Sequence, residues 1–362
     1  MQTISRKLFI ILGGGNISHS VAIAAIKSGY NVVVTTRASQ PKDYACIKYV
    51  PMPTSMFNET FGVGFNAESF WKHFTEIYSE NHQDITIVNT IGTPISDDGC
   101  TLQEINCEIP FAIMKTIHEK AQTMGKTVKT IHLSSGATIL ESAYGATKKA
   151  MEKRLLDSSM NVTILRPMYV VKPWTWNTNT FYYKGFHRLS VEEMSALPLS
   201  LMLGDPKKTH QTTLSVIGID DLVEGIMKIA DKLSGPVTID AINDEILSQE
   251  QLMQFHCDLI GKKYRPMYLS TNAAMFFAKN HEFGHLTPYT IEYCEKSIPS
   301  QCSAAFEKIL GRKLKTLYEI YQGYPHQSEL MLPKSCFPAL TKHIIGNMWR
   351  KPEIRAETAK MC

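Results

Sequence analysis

Three consecutive glycines, Gly13–Gly15, directly follow the apolar run Leu8–Leu12 near the start of the chain. The next segment, Ile17–Ser28, carries apolar residues at helical spacing, and Gly29 stands where a helix would end. A strand, a glycine-rich turn and a helix in this order let backbone N–H groups approach a pyrophosphate at the positive end of the helix dipole. The sequence therefore predicts a dinucleotide-binding turn.

The residues around this turn indicate which dinucleotide it binds. The spacing GxGxx(G) selects Gly13, Gly15 and Ser18, and because serine is small we expect it to displace the helix only slightly. The second β-rich run, Asn31–Thr36, is not followed by the acidic residue that would bind the ribose 2′-hydroxyl of NAD. Arg37 follows instead and could pair with the 2′-phosphate of NADP. The sequence therefore favours NADP over NAD.

Short apolar runs alternate with helical patterns over the first 170 residues. This alternation predicts a parallel sheet covered by helices on both faces, with right-handed crossovers. We therefore predict an α/β fold, a doubly wound parallel sheet with a smaller, mainly helical C-terminal lobe. The predicted domains are residues 1–170 with 205–241 for the nucleotide-binding domain, residues 171–204 and 242–330 for the substrate lobe, and residues 331–362 for a basic amphipathic tail.

A cluster of reactive side chains follows the β-rich run Lys129–Ser135. Tyr144 comes nine residues after Ser135 and opens a helix, and its i,i+4 spacing to Lys148 places both side chains on one face. A free tyrosine has a pKa of about 10 and is a poor base, but a nearby ammonium favours the phenolate and lowers that pKa. The sequence therefore predicts that Tyr144 exchanges a proton with a substrate oxygen that a serine hydroxyl orients.

Together these motifs resemble those of the short-chain dehydrogenase/reductase superfamily. The resemblance is carried by ILGGGNISHSVA, VVVTTR, NTIG, HLSSGAT, YGATKKAMEK and ILRPMYV, and more loosely by later segments up to residue 322. The long C-terminal region is most similar to the extended and atypical branches, which include NAD-dependent epimerases and dehydratases and an accessory subunit of respiratory complex I. The resemblance implies a Rossmann fold that binds a nicotinamide cofactor.

The resemblance also implies catalytic roles for the matching residues. Tyr144 would be the general acid/base, and Lys148 would be its electrostatic partner and hold the nicotinamide ribose. Ser135 would be the orienting hydroxyl, with Ser134 as the alternative, and a register shifted by one would place Gly136 at the position of the serine. The gap between Ser135 and Tyr144 is shorter than in most catalytic members, which leaves the reach of the serine open.

The cofactor-binding set that the resemblance implies surrounds the glycine turn. Residues 89–92 would line the adenosine side, and Pro167 and Met168, after the β-rich run Val162–Leu165, would lie near the nicotinamide. The full set is Gly13, Gly14, Gly15, Asn16, Ile17, Ser18, Thr36, Arg37, Asn89, Thr90, Gly92, Tyr144, Lys148, Pro167 and Met168.

Three further patterns have competing explanations. His281 and His285 match HExxH, but Gly284 interrupts the motif and Pro288 follows it, so we expect no metal site. The aromatic cluster at 174–186 could line a pocket for a bulky apolar substrate or form the core of a small lobe. The amphipathic segment 337–351 could contact an anionic membrane surface, although packing against its own domain is the favoured alternative.

The overall composition excludes several classes of protein. Residues 331–362 carry six basic and two acidic side chains, so the rest of the chain is balanced and lacks the basic face of a general nucleic-acid binder. No apolar run approaches the about 18 residues of a membrane span. Eight cysteines without a CxxC pair predict free thiols in a reducing compartment. With only seven residues before the first apolar run, we expect no signal peptide and a cytoplasmic location.

These observations favour an NADP-dependent oxidoreductase that transfers hydride to or from a carbonyl or alcohol of an apolar small molecule. One alternative is a cofactor-binding sensor or assembly subunit without turnover, which Ser18 and the short serine–tyrosine gap favour. A third reading is an epimerase or dehydratase that uses the same site. The sequence leaves open whether the protein forms a homodimer.

Overall fold

The computed structural model describes residues 7–36, 48–51, 83–94, 101–171, 200–205, 213–232, 235–259, 263–280 and 303–322. Four features of the sequence lie outside these residues. They are Arg37, the aromatic cluster at 174–186, the histidine motif at 281–285 and the tail at 331–362.

Strands and helices alternate through the first half of the chain. The strands are β1 (Lys7–Leu12), β2 (Asn31–Thr36), β3 (Lys48–Pro51), β4 (Asp84–Asn89), β5 (Thr127–Leu133), β6 (Val162–Pro167), β7 (Tyr169–Val171), β8 (Ser200–Leu203), β9 (Thr213–Gly218), β10 (Val237–Ala241), β11 (Ile246–Ser248) and β12 (Pro266–Leu269). The helices are α1 (Asn16–Lys27), α2 (Ile109–Thr123), α3 (Ala143–Leu156), α4 (Ile219–Lys232), α5 (Gln249–Leu259), α6 (Thr271–Asn280), α7 (Ala304–Leu310) and α8 (Leu317–Gln322).

Seven of the strands form one parallel sheet in the order β3-β2-β1-β4-β5-β6-β10. Every pair of neighbours in this sheet is parallel. The chain leaves the sheet at β3 on one side of β1 and returns at β4 on the other. Ligands of such sheets bind outside the carboxyl ends of the strands at this switch point, which here lies between β1 and β4.

Apolar side chains of the strands alternate between two buried layers. Leu8, Ile10 and Leu12 of β1 pack in a layer with α2 and α3, whereas Phe9 and Ile11 pack in a layer with α1, α4 and α7. Strands that are buried on both faces must be apolar on both faces, which is why they read as continuous apolar runs. This arrangement confirms the predicted doubly wound parallel sheet.

The helical region before β5 has two parts. A π-helical segment, Glu104–Glu108, precedes α2, and Pro110 stands in the first turn of α2, where a missing N–H costs little. Apolar periodicity does not separate a π-helical turn from an α-helical one, so the sequence could not locate this boundary. Helix α5 begins with a capping box, in which Gln251 N–H donates to Ser248 Oγ and Ser248 N–H donates to Gln251 Oε1.

The chain divides into two compact units. The first comprises Met1–Val171, Ile217–Asp244 and Gln301–Lys315, and the second comprises Lys172–Val216, Glu245–Ser300 and Thr316–Cys362. The first unit contains the parallel sheet. In the second, β12 pairs in parallel with β8, and Met202, Met253 and Cys257 form a small core. None of the described helices has the length and apolar character needed to cross a membrane.

Candidate functional site

The turn between β1 and α1 is built almost entirely from backbone. Gly13 has a φ of +106°, which L side chains rarely adopt, and a Cβ at this position would lie 2.8 Å from Thr90 Oγ1. Its N–H donates to the carbonyl and hydroxyl oxygens of Thr35, both at 3.2 Å. Gly15 occupies the N-cap of α1, whose first turn has no acidic residue. The positive end of this helix is therefore compatible with an anion.

Ser18 links α1 to the end of β4. The Thr90 hydroxyl donates its single proton to the carbonyl of Leu12 at 2.8 Å, so Ser18 must be the donor in its 2.6 Å contact with Thr90 Oγ1. Ser18 is 1 % exposed. Where a third glycine would permit close packing, this chain therefore has a buried hydrogen bond between helix and strand.

At the end of β4, Asn89 is fully buried and engaged at both ends of its amide. Its Oδ1 accepts the N–H of Ile91 at 3.1 Å, and its Nδ2 lies 2.9 Å from His132 Nδ1 on β5. His132 Nδ1 is therefore the acceptor, which leaves its proton on Nε2. Burial and the nearby Lys148 hold the pKa of His132 well below its usual range. Any contact between Asn89 and an adenosine would have to use the backbone.

Lys148 is a buried ammonium at the carboxyl ends of two neighbouring strands. Its Nζ donates to the carbonyl of Ile91, after β4, at 3.1 Å and to that of Leu133, in β5, at 3.2 Å. A Cβ at Gly92 would lie 2.5 Å from this Nζ, so the glycine provides its space. Burial lowers the pKa of Lys148 to about 8, although the attraction of Glu152 opposes this shift.

The structure brings Tyr144 and Lys148 together in the first turns of α3. Lys148 Nζ lies 5.9 Å from the centroid of the Tyr144 ring. The helix begins after Ser142, whose Oγ accepts the N–H of Gly145 at 3.1 Å. Two of the three ammonium protons of Lys148 serve the strand carbonyls, so the third is left for a group above the sheet.

The two candidate serines have different environments. The Ser134 hydroxyl donates to Glu152 Oε1 at 2.5 Å. Ser135 Oγ accepts the N–H of Ala137 at 3.1 Å and caps a short 3₁₀ helix, Gly136–Ile139. That cap does not use the hydroxyl proton of Ser135. The geometry therefore favours Ser135 over Ser134 as a hydroxyl that could bind a substrate.

Gly136, which a register shifted by one would place at the position of the serine, packs against Met168. A Cβ at Gly136 would lie 1.6 Å from Met168 Sδ. Met168, which follows β6, is buried. Any side chain at position 136 would therefore require Met168 to move.

Sequence reasoning missed Asn106, which is fully buried in the π-helical segment. Its Oδ1 accepts the N–H of Thr93 at 2.8 Å, and its Nδ2 donates to the carbonyl of Thr93 at 2.9 Å and to Thr147 Oγ1 at 3.1 Å. Thr147 in turn donates to the carbonyl of Tyr144 at 2.8 Å. Asn106 therefore joins the loop after β4 to the start of α3. The one signal in the sequence is a polar residue between the apolar Ile105 and Cys107.

Comparison with known proteins supports this assignment of the fold. No family model matches the chain, and no curated protein matches it. Solved structures do match. An epimerase of Methanothermobacter thermautotrophicus gives a TM-score of 0.64 at 12 % identity, over 92 % of this chain and 94 % of that one. The chain therefore shares the fold of this epimerase.

Two further matches are enzymes that act on nucleotide sugars. The dTDP-glucose 4,6-dehydratase of Bacillus anthracis, solved with NAD, gives a TM-score of 0.60 at 11 % identity over 92 % of this chain and 99 % of that one. The UDP-glucuronic acid 4-epimerase of Bacillus cereus, solved with UDP-glucuronic acid and NAD, gives 0.57 at 14 % identity over 87 % and 100 %. At these identities the likeness extends to the fold alone.

Within this fold, the described residues of the predicted site lie at the carboxyl ends of five adjacent strands, β2, β1, β4, β5 and β6, or just beyond them. Pro167 ends β6, and Asn16 and Ile17 belong to the first turn of α1. Thr36 ends β2, beside the sequence position of Arg37. Among the described residues, no group of three or more His, Cys, Asp or Glu side chains could hold a metal ion.

Proposed function

We propose that this protein binds a nicotinamide dinucleotide along the carboxyl edge of its sheet and transfers hydride between it and a small molecule. The observation that carries the proposal is the buried Lys148 ammonium, held by two strand carbonyls beside Tyr144. A buried ammonium is costly unless its charge is used or paired. Beside a phenol, that charge would stabilise the phenolate form of Tyr144, so that the phenol could give up its proton closer to neutral pH.

The residues present fit such a cofactor. The pyrophosphate would lie on the glycine turn, where Gly13 has no space for a side chain and the first turn of α1 carries no acidic group. β1 and β4 are adjacent in the sheet, and Lys148 Nζ lies between the ends of β4 and β5, so the turn and this ammonium are separated by roughly one to two strand spacings, about 5–10 Å. A dinucleotide spans this distance, and the remaining Lys148 proton would bind the ribose of its nicotinamide.

When bound, the nicotinamide would supply or accept the hydride. Tyr144 would transfer the accompanying proton to or from the substrate oxygen, and the Lys148 ammonium would stabilise the phenolate that forms. The Ser135 hydroxyl would donate to the same oxygen and hold it in place. Met168 would border the substrate with an apolar surface, which favours an apolar carbonyl compound as the substrate.

The first test concerns the cofactor. Fluorescence titrations with NADPH and NADH are expected to show tighter binding of NADPH, because Arg37 can pair with its additional phosphate. Arg37→Ala should weaken the binding of NADPH by about tenfold, the equivalent of roughly 1.4 kcal/mol, and leave the affinity for NADH unchanged. Lys27→Ala, at the far end of α1, is the control for a general loss of positive charge. Equal affinities would refute the NADP preference, and binding of neither nucleotide would refute the proposed function.

The second test concerns Tyr144. Turnover is assayed with NADPH and a panel of cyclic and aromatic ketones and aldehydes. Tyr144→Phe should abolish turnover, because it removes the proton donor, and should leave NADPH affinity within about twofold, since the ring remains. Unchanged turnover in Tyr144→Phe would exclude this tyrosine from the mechanism. A wild-type protein that binds the cofactor but reduces none of the panel would favour the sensor or assembly role.

An epimerase or dehydratase is the second candidate, and the likeness of the fold to such enzymes favours it. These reactions would use the same Tyr144–Lys148 pair but return the hydride to the substrate, so the cofactor need not leave. A nicotinamide nucleotide that stays with the protein through purification would support this candidate. A freely exchanging one would support the oxidoreductase.

A further inference from the structure

Glu152 is a buried carboxylate that the proposed reaction does not use. Its side chain is 4 % exposed. Oε1 accepts the Ser134 hydroxyl at 2.5 Å and Arg166 Nε at 2.8 Å, and Oε2 accepts Arg166 Nη2 at 2.5 Å. Buried ion pairs of this kind are often no more stable than apolar residues of the same size. The network therefore suggests a role besides stability.

The position of Glu152 relates it to the reactive pair. It lies one helical turn after Lys148 and two turns after Tyr144, on the same face of α3. Lys148 donates to the carbonyl of Leu133, and Glu152 accepts from the next residue, Ser134. Two successive turns of α3 are thus bound to two successive residues at the end of β5. Glu152 fixes both the register and the rotation of the helix that carries Tyr144.

The charges around Lys148 show what else Glu152 supplies. His132 on β5 faces Lys148 and is neutral, since burial and Lys148 lower its pKa. The Cys107 thiol in the π-helical segment is also neutral at pH 7, because burial raises its pKa. On α3 itself, Tyr144 lies beside the ammonium. Of the acidic groups that favour charged Lys148, Glu152 has the largest effect, and Arg166 offsets part of its charge.

We propose that Glu152 is a positioning residue for the Tyr144–Lys148 pair: it docks α3 on the ends of β5 and β6 and places a negative charge one helical turn from the Lys148 ammonium. The catalytic purpose of this role rests on the proposed function, but the measurement that tests the role does not depend on it. The positive charge of Arg166 offsets part of the negative charge of Glu152 and so weakens the effect of Glu152 on Lys148. Substitutions of the two residues should therefore shift the titration of Lys148 in opposite directions.

The experiment measures the titration of Lys148 in the full chain without cofactor. The ε-carbon resonance of Lys148 is followed by NMR in protein that carries ¹³C-labelled lysine, with Lys148→Arg for assignment. Glu152→Gln should lower the midpoint by about one pH unit, the lower limit for the loss of a nearby opposite charge. Arg166→Gln should raise it, because it leaves the Glu152 charge uncompensated. Glu119→Gln, an exposed carboxylate on α2, is the matched control and should change nothing.

Further variants separate positioning from folding. Ser134→Ala removes one hydrogen bond and keeps the charge, so it should lower Tm and leave the Lys148 midpoint in place. Glu152→Asp should retain a midpoint close to that of the wild type. If Glu152→Gln does not fold, the upward shift in Arg166→Gln decides the question. Wild-type midpoints in folded Glu152→Gln or in Arg166→Gln would overturn the proposal.

The cofactor titration distinguishes this proposal from the proposed function. If NADPH or NADH binds, its affinity should fall with rising pH as Lys148 loses its proton, and in Glu152→Gln that fall should begin about one unit lower. If neither nucleotide binds the wild-type protein, the proposed function fails. The NMR midpoints still show in that case whether Glu152 sets the charge of Lys148.

Discussion

The turn after β1 and the junction between β5 and α3 lie near each other at the edge of one sheet, but the turn is built from backbone and the junction from side chains. The turn consists of Gly13–Gly15, and its geometry depends on side chains being absent. The junction consists of side chains that hold one another, with Lys148, Glu152 and Asn106 each making two or three hydrogen bonds. A site made from backbone fails when atoms are added, whereas a site made from side chains fails when atoms are removed.

The largest effect is expected at Gly13, where adding one methyl group should disrupt the turn. Gly13→Ala places a Cβ at a strained φ and 2.8 Å from Thr90 Oγ1. Such strain costs about 1–3 kcal/mol, and cofactor affinity should fall by more than tenfold. The matched control for folding is Gly15→Ala, whose Cβ would meet nothing within 4 Å of the protein. Thermal unfolding of both variants measures the difference, and equal losses of stability would contradict the comparison; NADPH titration of Gly13→Ala then measures the loss of affinity.

The second prediction concerns Gly136, a glycine that lies among the side chains of the junction between β5 and α3. Gly136→Ala places a Cβ 1.6 Å from Met168 Sδ, and overpacking of this kind costs about 1–3 kcal/mol. The shorter side chain in Met168→Val should make room for it. In a double-mutant cycle measured by chemical denaturation, Gly136→Ala should therefore lower the free energy of unfolding clearly less in the Met168→Val background than in the wild type. Additive costs would mean that the contact does not constrain the position.

The smallest effect is expected at Ser18, whose side chain links α1 to Thr90, just after β4. Ser18→Ala removes its hydrogen bond to Thr90 and should lower the free energy of unfolding by about 1 kcal/mol. Cofactor affinity should change little, because the backbone of the turn remains. Ser159→Ala, at an exposed position, serves as the control in urea denaturation. A large loss of NADPH affinity in Ser18→Ala would show that this side chain shapes the turn after all.

The same contrast explains how far the sequence alone could lead. The glycine turn, the main strands and the Tyr144–Lys148 spacing depend on neighbours within a few residues, so local patterns predict them. Asn106 and Glu152 owe their roles to partners 41 and 14 residues away in Thr147 and Arg166. No local pattern reports such contacts. Ser134 also has a distant partner, Glu152, 18 residues further along the chain, so the sequence alone does not separate the environments of Ser134 and Ser135.

The short strands could not be predicted from the sequence either. β3, β7, β8, β11 and β12 contain three or four residues each, too few for a period of two to stand out from chance. Their positions follow from the strands with which they pair. β3, for example, pairs in parallel with the end of β2.

The bond between Glu152 and Arg166 also has a consequence for the order in which this chain assembles during synthesis. Helix α3 leaves the ribosome before β6, so Glu152 waits for a cation that is 14 residues further along the chain. Until then, docking α3 on β5 would bury an uncompensated carboxylate, which is costly. We therefore expect the Tyr144–Lys148 pair to reach its final geometry only after β6 has joined the sheet, and a nascent chain halted before Arg166 to hold both side chains on an undocked helix.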